Sequence, residues 1–496
     1  MIRTKIIATM GPAVGTPETL YSVFEAGVDV CRLNFSHGTL EQHAAMLKLI
    51  RETAERFNYP IAVLGDLCGP KIRLGKIADV DGTGGMPVNV GDELIVQRGT
   101  IVGKDLRVST LLETFVDDVN VGDRVLIEDG LLRFVVTDKN ASEARLRCMV
   151  GGIVKSSKGI NLPGTAINVP SITDRDWECV DWAVANGVDY LALSFVRHAG
   201  DLELLRGHLL YKKATNISLI AKIEKAEAVE EIDNIIAASD GLMVARGDLG
   251  VEMDVAQVPI IQKDLIRRCQ KAGKPVIVAT QMLQSMIDQA SPTRAEVSDI
   301  ANAIFDGTDA VMLSAETSVG KFPTVAVHTM AHTAEITEAY LDSHQAESAI
   351  PPSLTQSNDV STALARGAWR IVNDLKAKLI VIWSQTGATA RVFSKHHFHC
   401  PIVALSSDAG VLRRMSIHYG VIPQYMQRSG DMAQLFAQID AMLVERKYAE
   451  TGDRILIVAG WSPTTPSSMN GIIIHTVGDK WAALSPTGAK PGQETI

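Results

Sequence analysis

A chain of 496 residues has room for two to four domains at roughly 100 to 200 residues each, which excludes a single small binding module. Apolar residues make up 46% and charged residues 21% of the total, the composition of a chain that buries large cores and not of a disordered one. The 57 acidic side chains outnumber the 48 basic ones for a net charge of -9, a balance that repels polyanions and excludes nucleic acid as the main partner. The cysteines (Cys31, Cys68, Cys148, Cys179, Cys269, Cys400) are far apart and form no C-x-x-C pair or Cys/His cluster, so neither a disulfide frame nor a zinc site is expected and a reducing, cytoplasmic setting fits. No signal-peptide core opens the chain and no apolar run reaches the roughly 18 residues of a membrane span, so no membrane association is expected.

In chain order, apolar and often β-branched runs recur, each ending abruptly in polar residues or glycine. They are Lys5 to Gly11, Val28 to Ser36, Ile61 to Asp66, Val188 to Phe195, Ser218 to Glu224, Gly241 to Asp248, Pro275 to Gln281 and Asp309 to Glu316. Runs apolar throughout predict strands buried on both faces, as in a parallel sheet. The segments between them have helical spacing; in Ile260, Ile261, Asp264, Leu265 and Arg268 the apolar members mark one face and the charged members the other. Eight such units predict an α/β protein built on a (β/α)8 TIM barrel, with its site where the strands end.

The third unit is interrupted. After Asp66 the chain turns glycine-rich, with short strands at Glu93 to Val96, Arg124 to Ile127 and Leu132 to Val136 and turn signals at Asp81-Gly82 and Asp129-Gly130. This predicts an inserted small β-barrel lid over 69–168, with the catalytic barrel in 1–68 and 169–345. A helical stretch then runs to about Ser343, and the linker Ser348 to Ser353 opens a C-terminal α/β domain over 346–496. Its predicted elements are a helix from Asp359 to Leu375 and strands at Leu379 to Trp383, Ile402 to Leu405, Ile455 to Ala459 and Ile472 to His475. From Lys480 onward Pro486, Gly488 and Pro491 read as a flexible tail.

The predicted strand ends carry chemistry: Asn34 and Ser36, Asp66, Lys222 and Glu224, Arg246 and Asp248, Thr280, and Ser314 with Glu316. Glu224 and Asp248 end adjacent strands, an arrangement for a hard divalent cation, magnesium or manganese, which leaves its other positions to water and substrate oxygens. Lys222 faces the same side as Glu224 and can neutralise a phosphoryl group in transit; an isolated structural ion pair is the plainer alternative. Arg246-Gly247-Asp248-Leu249-Gly250 lets backbone N–H groups approach a substrate carboxylate. In the C-terminal domain Ser384-Gln385-Thr386-Gly387-Ala388-Thr389 follows a strand and opens a helix, either a phosphate cradle or an ordinary helix start.

Six motifs in this order resemble the pyruvate kinase family over nearly the whole chain: Arg32-Leu33-Asn34-Phe35-Ser36-His37-Gly38, Gly69-Pro70-Lys71-Ile72-Arg73, Ala221-Lys222-Ile223-Glu224, Met243 to Gly250, Ala279-Thr280-Gln281-Met282-Leu283 and Met312-Leu313-Ser314-Ala315-Glu316-Thr317. The resemblance implies phosphoryl transfer from phosphoenolpyruvate to ADP, giving pyruvate and ATP in glycolysis, in a homotetramer. It implies Glu224 and Asp248 as magnesium ligands, Lys222 as the cation over the transferring group, and Arg32 and Arg73 as phosphate contacts. Gly247, Asp248 and Thr280 would hold the substrate carboxylate, and Thr280, Ser314 and Glu316 would relay the proton to the enolate. Asn34, His37, Arg73 and Lys158 would bind nucleotide. Asn34, Ser36, Asp66 and the Leu67 carbonyl match the family's monovalent-cation site. Ser384, Thr386, Gly387 and Thr389 resemble its loop for a sugar-phosphate or nucleotide effector, with Gly460 to Asn470 as a second loop.

Two positions depart from the family pattern. Potassium-requiring members read D-T-K-G-P-E where this chain reads Asp66-Leu67-Cys68-Gly69-Pro70-Lys71, so Lys71 is expected to stand in for the cation and potassium not to be required. Ser157 precedes Lys158 where a second lysine is expected. Two other readings share parts of the pattern: a barrel aldolase or lyase working through a metal enolate, which lacks the lid, and a silent phosphate sensor, which has no use for Lys222, Glu224, Asp248 and Thr280.

Overall fold

The computed structural model describes residues 2–79, 82–165, 169–344, 360–427, 432–460 and 470–479. Parallel strands at Lys5–Thr9, Val30–Asn34, Ala62–Asp66, Tyr190–Leu193, Ser218–Ile223, Gly241–Ala245, Val276–Ala279 and Ala310–Leu313 close into a barrel. Ala8 lies beside Cys31 on one side and Leu313 on the other, so the first strand joins the second to the last. The all-apolar runs find their reason here, because neighbouring residues point to opposite faces and both faces are covered. Ile7, Val30, Leu64, Ile220, Met243, Ile277 and Met312 pack together in one core, while Ile6, Ala8, Val63, Leu219, Val244 and Val278 belong to another shared with the helices. These are the predicted runs, shortened: the strands stop just before or at the polar residues, which are thereby released to the barrel mouth. Four helices of this unit start with a threonine whose hydroxyl accepts from the backbone N–H three residues on, at Thr16, Thr39, Thr173 and Thr293, each cap contributing about 1 kcal/mol.

The insertion forms a seven-stranded sheet in the order Ile72–Arg73, Gly159–Asn161, Arg124–Ile127, Leu132–Lys139, Glu143–Val150, Glu93–Gln97 and Arg107–Val108. An antiparallel bridge between Leu74 and Thr110 joins its two ends, with backbone bonds from Gly75 N–H to the Ser109 carbonyl at 2.8 Å and from Leu111 N–H to the Arg73 carbonyl at 2.9 Å, so the expected small barrel closes through a short contact and not a full ladder. Met86–Val88 and Gly152–Val154 form a separate ribbon. Phe115, Phe134, Leu94 and Leu146 fill the insertion's own core. Glu128, Asp129 and Gly130 all have positive φ, which makes the predicted Asp129-Gly130 turn between its two strands. Asp81, in the other predicted turn, lies outside the described residues.

The chain divides into two compact units, Met1–Glu347 with Ser416–Tyr419, and Ser348–Met415 with Gly420–Ile496. The second unit is a five-stranded sheet in the order Val421–Tyr425, Ile402–Ser406, Ile380–Trp383, Arg454–Ala459 and Gly471–Thr476, the last antiparallel to its neighbour. The sequence reading missed Val421–Tyr425. Pro423 interrupts that run, and proline is tolerated there because the strand is an edge. Val360–Leu375 is the predicted helix; Asp359, the linker 348–353 and the tail from Lys480 lie outside the described residues. No described helix is long and apolar enough to cross a membrane.

Candidate active site

At the barrel mouth, ionic side chains from several strands meet around Lys222. Its Nζ lies 3.1 Å from Asp66 Oδ1 and 3.0 Å from Glu224 Oε1, and donates to Ser194 Oγ at 2.6 Å. Ser194 Oγ in turn donates to the Leu67 carbonyl at 2.7 Å. Arg32 completes the group: Nε donates to Asp66 Oδ2 at 2.6 Å and Nη1 to Thr9 Oγ1 at 2.9 Å. Burial alone would discharge the Lys222 ammonium, but Asp66 and Glu224 outweigh it and hold its pKa above the usual lysine range. Burial likewise pushes the Asp66 carboxyl up, and Lys222 and Arg32 together bring it below the ordinary range.

Glu224 goes the other way. Burial raises its pKa, Lys222 opposes this, and the charge of Asp248 raises it further; its other oxygen accepts from the Phe195 N–H at 2.7 Å. Asp248 lies in the first turn of the short helix Arg246–Glu252, directly after the strand Gly241–Ala245. Arg246 fixes that start by donating from Nη1 to Asp299 at 2.7 Å and from Nη2 to the Thr280 carbonyl at 2.8 Å. The Gly247 N–H donates to Thr280 Oγ1 at 2.8 Å. Thr280 and Gln281 both have positive φ, 71° and 57°, a costly backbone for a β-branched residue that surrounding contacts must enforce.

Two carboxylates in mutual repulsion, one of them buried, fit a divalent cation, which relieves the conflict. Among the described residues no three His, Cys, Asp or Glu side chains gather as a metal cluster. Lys71 Nζ sits 3.6 Å from Asp248 Oδ1, beside this carboxylate pair.

The other predicted residues are placed as follows. Asn34 and Asp66 are register neighbours on adjacent strands, and Asn34 Oδ1 accepts from the Ser36 N–H at 3.2 Å. In the lid, Arg73 Nη1 donates to the Ser157 carbonyl at 3.1 Å and Lys158 Nζ pairs with Glu128 at 2.6 Å. His37 is exposed on the turn after the second strand. Among the described residues no hydrogen bond or ion pair joins Asn34 and His37 to Arg73 and Lys158. Glu316 is 1% exposed and spends both oxygens on backbone, accepting from Leu283 N at 3.1 Å and Ser314 N at 2.7 Å, so it anchors the loops after the last two strands. The sequence reading missed Ser194, although it ends the fourth strand and the same strand-end rule finds it. It also missed Thr9 and Asp299, which no motif marks.

In the second unit, Gly387 has φ of 83° and precedes the helix Ala388–Ser394. Ser384 Oγ accepts from Ala390 N at 3.5 Å and Thr386 Oγ1 from Ala388 N at 3.4 Å; Thr389 lies in the helix's first turn. Of the second loop, Trp461 to Met469 lie outside the described residues.

The pyruvate kinase barrel-domain family matches residues 1–327, and the pyruvate kinase alpha/beta-domain family matches residues 362–475. A pyruvate kinase of Bacillus licheniformis is 39% identical over 492 residues, 99% of this chain and 83% of that protein. One from Staphylococcus epidermidis is 40% identical over 488 residues, 97% of this chain and 82% of its own. The crystal structure of a pyruvate kinase from Cryptosporidium parvum matches with a TM-score of 0.88 at 34% identity, covering 96% of each chain. With both domain families matched in order and the barrel, inserted lid and C-terminal α/β domain in place, the chain belongs to the pyruvate kinase family, phosphotransferases that connect phosphoenolpyruvate and ADP with pyruvate and ATP.

Proposed function

We propose that the chain moves the phosphoryl group of phosphoenolpyruvate to ADP with a magnesium or manganese ion held by Glu224 and Asp248, and does so without potassium. The observation that carries this reading is the Lys222 ammonium, buried within hydrogen-bonding distance of Asp66 and Glu224 and kept charged by them. Lys222 and Arg32 present fixed positive charge where phosphoryl oxygens gather negative charge, so little reorganisation is needed as the group moves. Arg73 and Lys158 approach the nucleotide phosphates from the lid, with Asn34 and His37 on the barrel side, and closure excludes water. The divalent ion, when bound, supplies Lewis-acid charge to substrate oxygens. The Asp248 amide and the Thr280 hydroxyl bind the substrate carboxylate, joined by the Gly247 amide once it exchanges Thr280 Oγ1 for the substrate. A water relay at Thr280 and Ser314 carries a proton to the enolate carbon, with solvent water as its source, while Glu316, whose oxygens accept from backbone, holds the neighbouring loop.

Lys71 supports potassium independence: its ammonium lies at Asp248 and adds positive charge to the site that a monovalent ion at Asn34, Ser36, Asp66 and the Leu67 carbonyl otherwise provides. We place the functional divisions at 1–68 with 169–345, 69–168 and 346–496, the last a regulatory domain, and the enzyme in the cytoplasm as a homotetramer. An effector carrying phosphate, a sugar phosphate or a nucleotide, is assigned to Ser384, Thr386, Gly387 and Thr389. Coupled assays with phosphoenolpyruvate and ADP, each with and without magnesium, potassium and a panel of such effectors, test these assignments. Turnover unaffected by chelating divalent ions refutes the metal reading. Thr386→Glu places a negative charge in the effector loop; a normal response of this variant to an activator from the panel puts the effector elsewhere.

A further inference from the structure

The segments that leave and re-enter the barrel meet beside a buried polar strut. The root of the lid is a short antiparallel pair in which Gly159 lies opposite Arg73 and Ile160 opposite Ile72. Asn161, the last residue of the returning strand, is 5% exposed, and its Nδ2 donates to Glu252 Oε1 at 3.0 Å. The same oxygen accepts from Lys225 Nζ at 2.8 Å. The Glu252 and Lys225 side chains are 2% and 12% exposed. Lys225 directly follows Glu224 in the chain, and Glu252 ends the helix Arg246–Glu252 whose first turn carries Asp248. Three separate elements, the lid root and the carriers of both carboxylates, are thus tied through one oxygen atom.

Stability alone does not require this arrangement. A buried ion pair gains little over well-packed apolar side chains of the same size, and the amide oxygen of Asn161 is itself buried without a hydrogen-bond partner, a penalty that an apolar residue avoids. What the polar trio adds is direction, since charge-assisted hydrogen bonds fix angle and register where apolar contacts allow sliding.

We propose that Glu252 is a positioning residue that, with Lys225 and Asn161, sets the relative placement of Glu224 and Asp248 and makes it depend on the docking of the lid root. The proposal rests on those two carboxylates being the metal ligands. Its test is manganese binding to the purified full-length protein without substrate, followed by electron paramagnetic resonance of the free ion, together with the magnesium dependence of turnover and the melting temperature. Two variants break the strut from opposite ends: Asn161→Ala, and the apolar swap Lys225→Met with Glu252→Met, which leaves no unpaired charge. Each is expected to weaken manganese binding and raise the magnesium requirement roughly tenfold, as for loss of a hydrogen bond to a charged group, with melting within a few degrees of the parent. Adding Asn161→Ala to the swap is expected to cause no further loss, because both remove the same contact. If the swap does not fold, Asn161→Ala alone carries the test. Parent-like manganese binding in the strut variants, with binding lost in Glu224→Gln, overturns the proposal and leaves the metal reading intact. Parent-like binding in Glu224→Gln overturns the metal reading and this proposal with it.

Discussion

Lys222 is held between two carboxylates, so its replacement has two separable effects. Lys222→Met removes the cation that faces the transferring group, and loss of such a charge typically removes several kcal/mol of transition-state stabilisation; turnover is expected to fall by about a thousandfold or more. It also leaves Glu224 without its cationic partner and Asp66 with Arg32 alone, at about 3–5 kcal/mol for a broken buried pair. Circular dichroism and urea unfolding report the second effect and single-turnover ATP formation the first. Turnover within tenfold of the parent in a folded variant sinks the role given to Lys222. His396 offers a residue-scale prediction away from this site. It is 3% exposed, and neither ring nitrogen has a hydrogen-bond partner. Burial first, then the positive neighbours His397, Arg366 and Lys395, pull its pKa from 6.5 down to about 3. The native ring therefore stays neutral while the unfolded one protonates below pH 6.5, and the stability this gives at neutral pH is lost as pH falls from about 6.5 toward 3, at up to about 1.4 kcal/mol per unit. His396→Phe is expected to lose about 2 kcal/mol less than the parent between pH 6.5 and 5, read from urea unfolding of the C-terminal unit. Equal losses in the two proteins exclude the histidine as the cause. Asp66, Lys222, Glu224 and Asp248 were legible as candidates in the sequence because strands that stop at a polar residue advertise it, whereas Asp299 was not. His396 was not, since burial of a polar ring leaves no pattern along the chain.

The elements around the lid hinge depend on one carboxylate that no motif marks. Asp176 is fully buried in the first turn of the helix Asp174–Ala185. Its Oδ1 accepts from the Cys68 and Gly69 amides at 3.0 and 3.2 Å. Its Oδ2 accepts from the Thr173 amide at 2.9 Å and the Thr173 hydroxyl at 2.6 Å. The outgoing hinge is thereby tied to the first helix after the returning chain. Loss of hydrogen bonds to a buried charged acceptor costs about 1.5–3 kcal/mol each and less than the sum when they share one group, so Asp176→Ala is expected to destabilise the first unit by at least about 3 kcal/mol. Hydrogen exchange at Cys68 and Gly69 should quicken in step. Destabilisation below about 1 kcal/mol with unchanged exchange makes Asp176 a helix cap only. Thr173 followed by Asp176 reads as a helix start in the sequence, but partners more than a hundred residues away are set by topology, which local patterns do not encode. For the same reason the eight barrel strands were readable from their apolar runs, while the bridge from Leu74 to Thr110 and the edge strand broken by Pro423 were not.

Across the whole molecule the site is assembled from parts distant in sequence, and its charge balance joins them. Asp66, Glu224 and Asp248 are matched by Arg32, Lys222 and Lys71. Five of these belong to the barrel, and Lys71 comes from the segment that leads into the lid. Lys in place of Glu in the G-P-K motif raises the expectation that Lys71 stands in for a monovalent cation; its ammonium pairs with Asp248, and among the described residues no hydrogen bond or ion pair joins it to Asn34, Ser36 or Asp66. Lys71→Glu changes the local charge by two units, placing a third anion beside Glu224 and Asp248 where close charges interact strongly. Screening by solvent tempers this, since Lys71 and Asp248 are 27% and 24% exposed. A monovalent cation near the added carboxylate offsets the change, so the variant is expected to gain a potassium requirement and the parent to show none. The measurement is turnover in buffer free of sodium and potassium, balanced by a bulky organic cation, against turnover with potassium added, for both proteins at saturating magnesium. Activation of at least about tenfold, equivalent to 1.4 kcal/mol, in Lys71→Glu beside an indifferent parent supports charge replacement. A parent nearly inactive until potassium is supplied refutes it whatever the variant does, because the ammonium at Asp248 would then be doing no part of the ion's work.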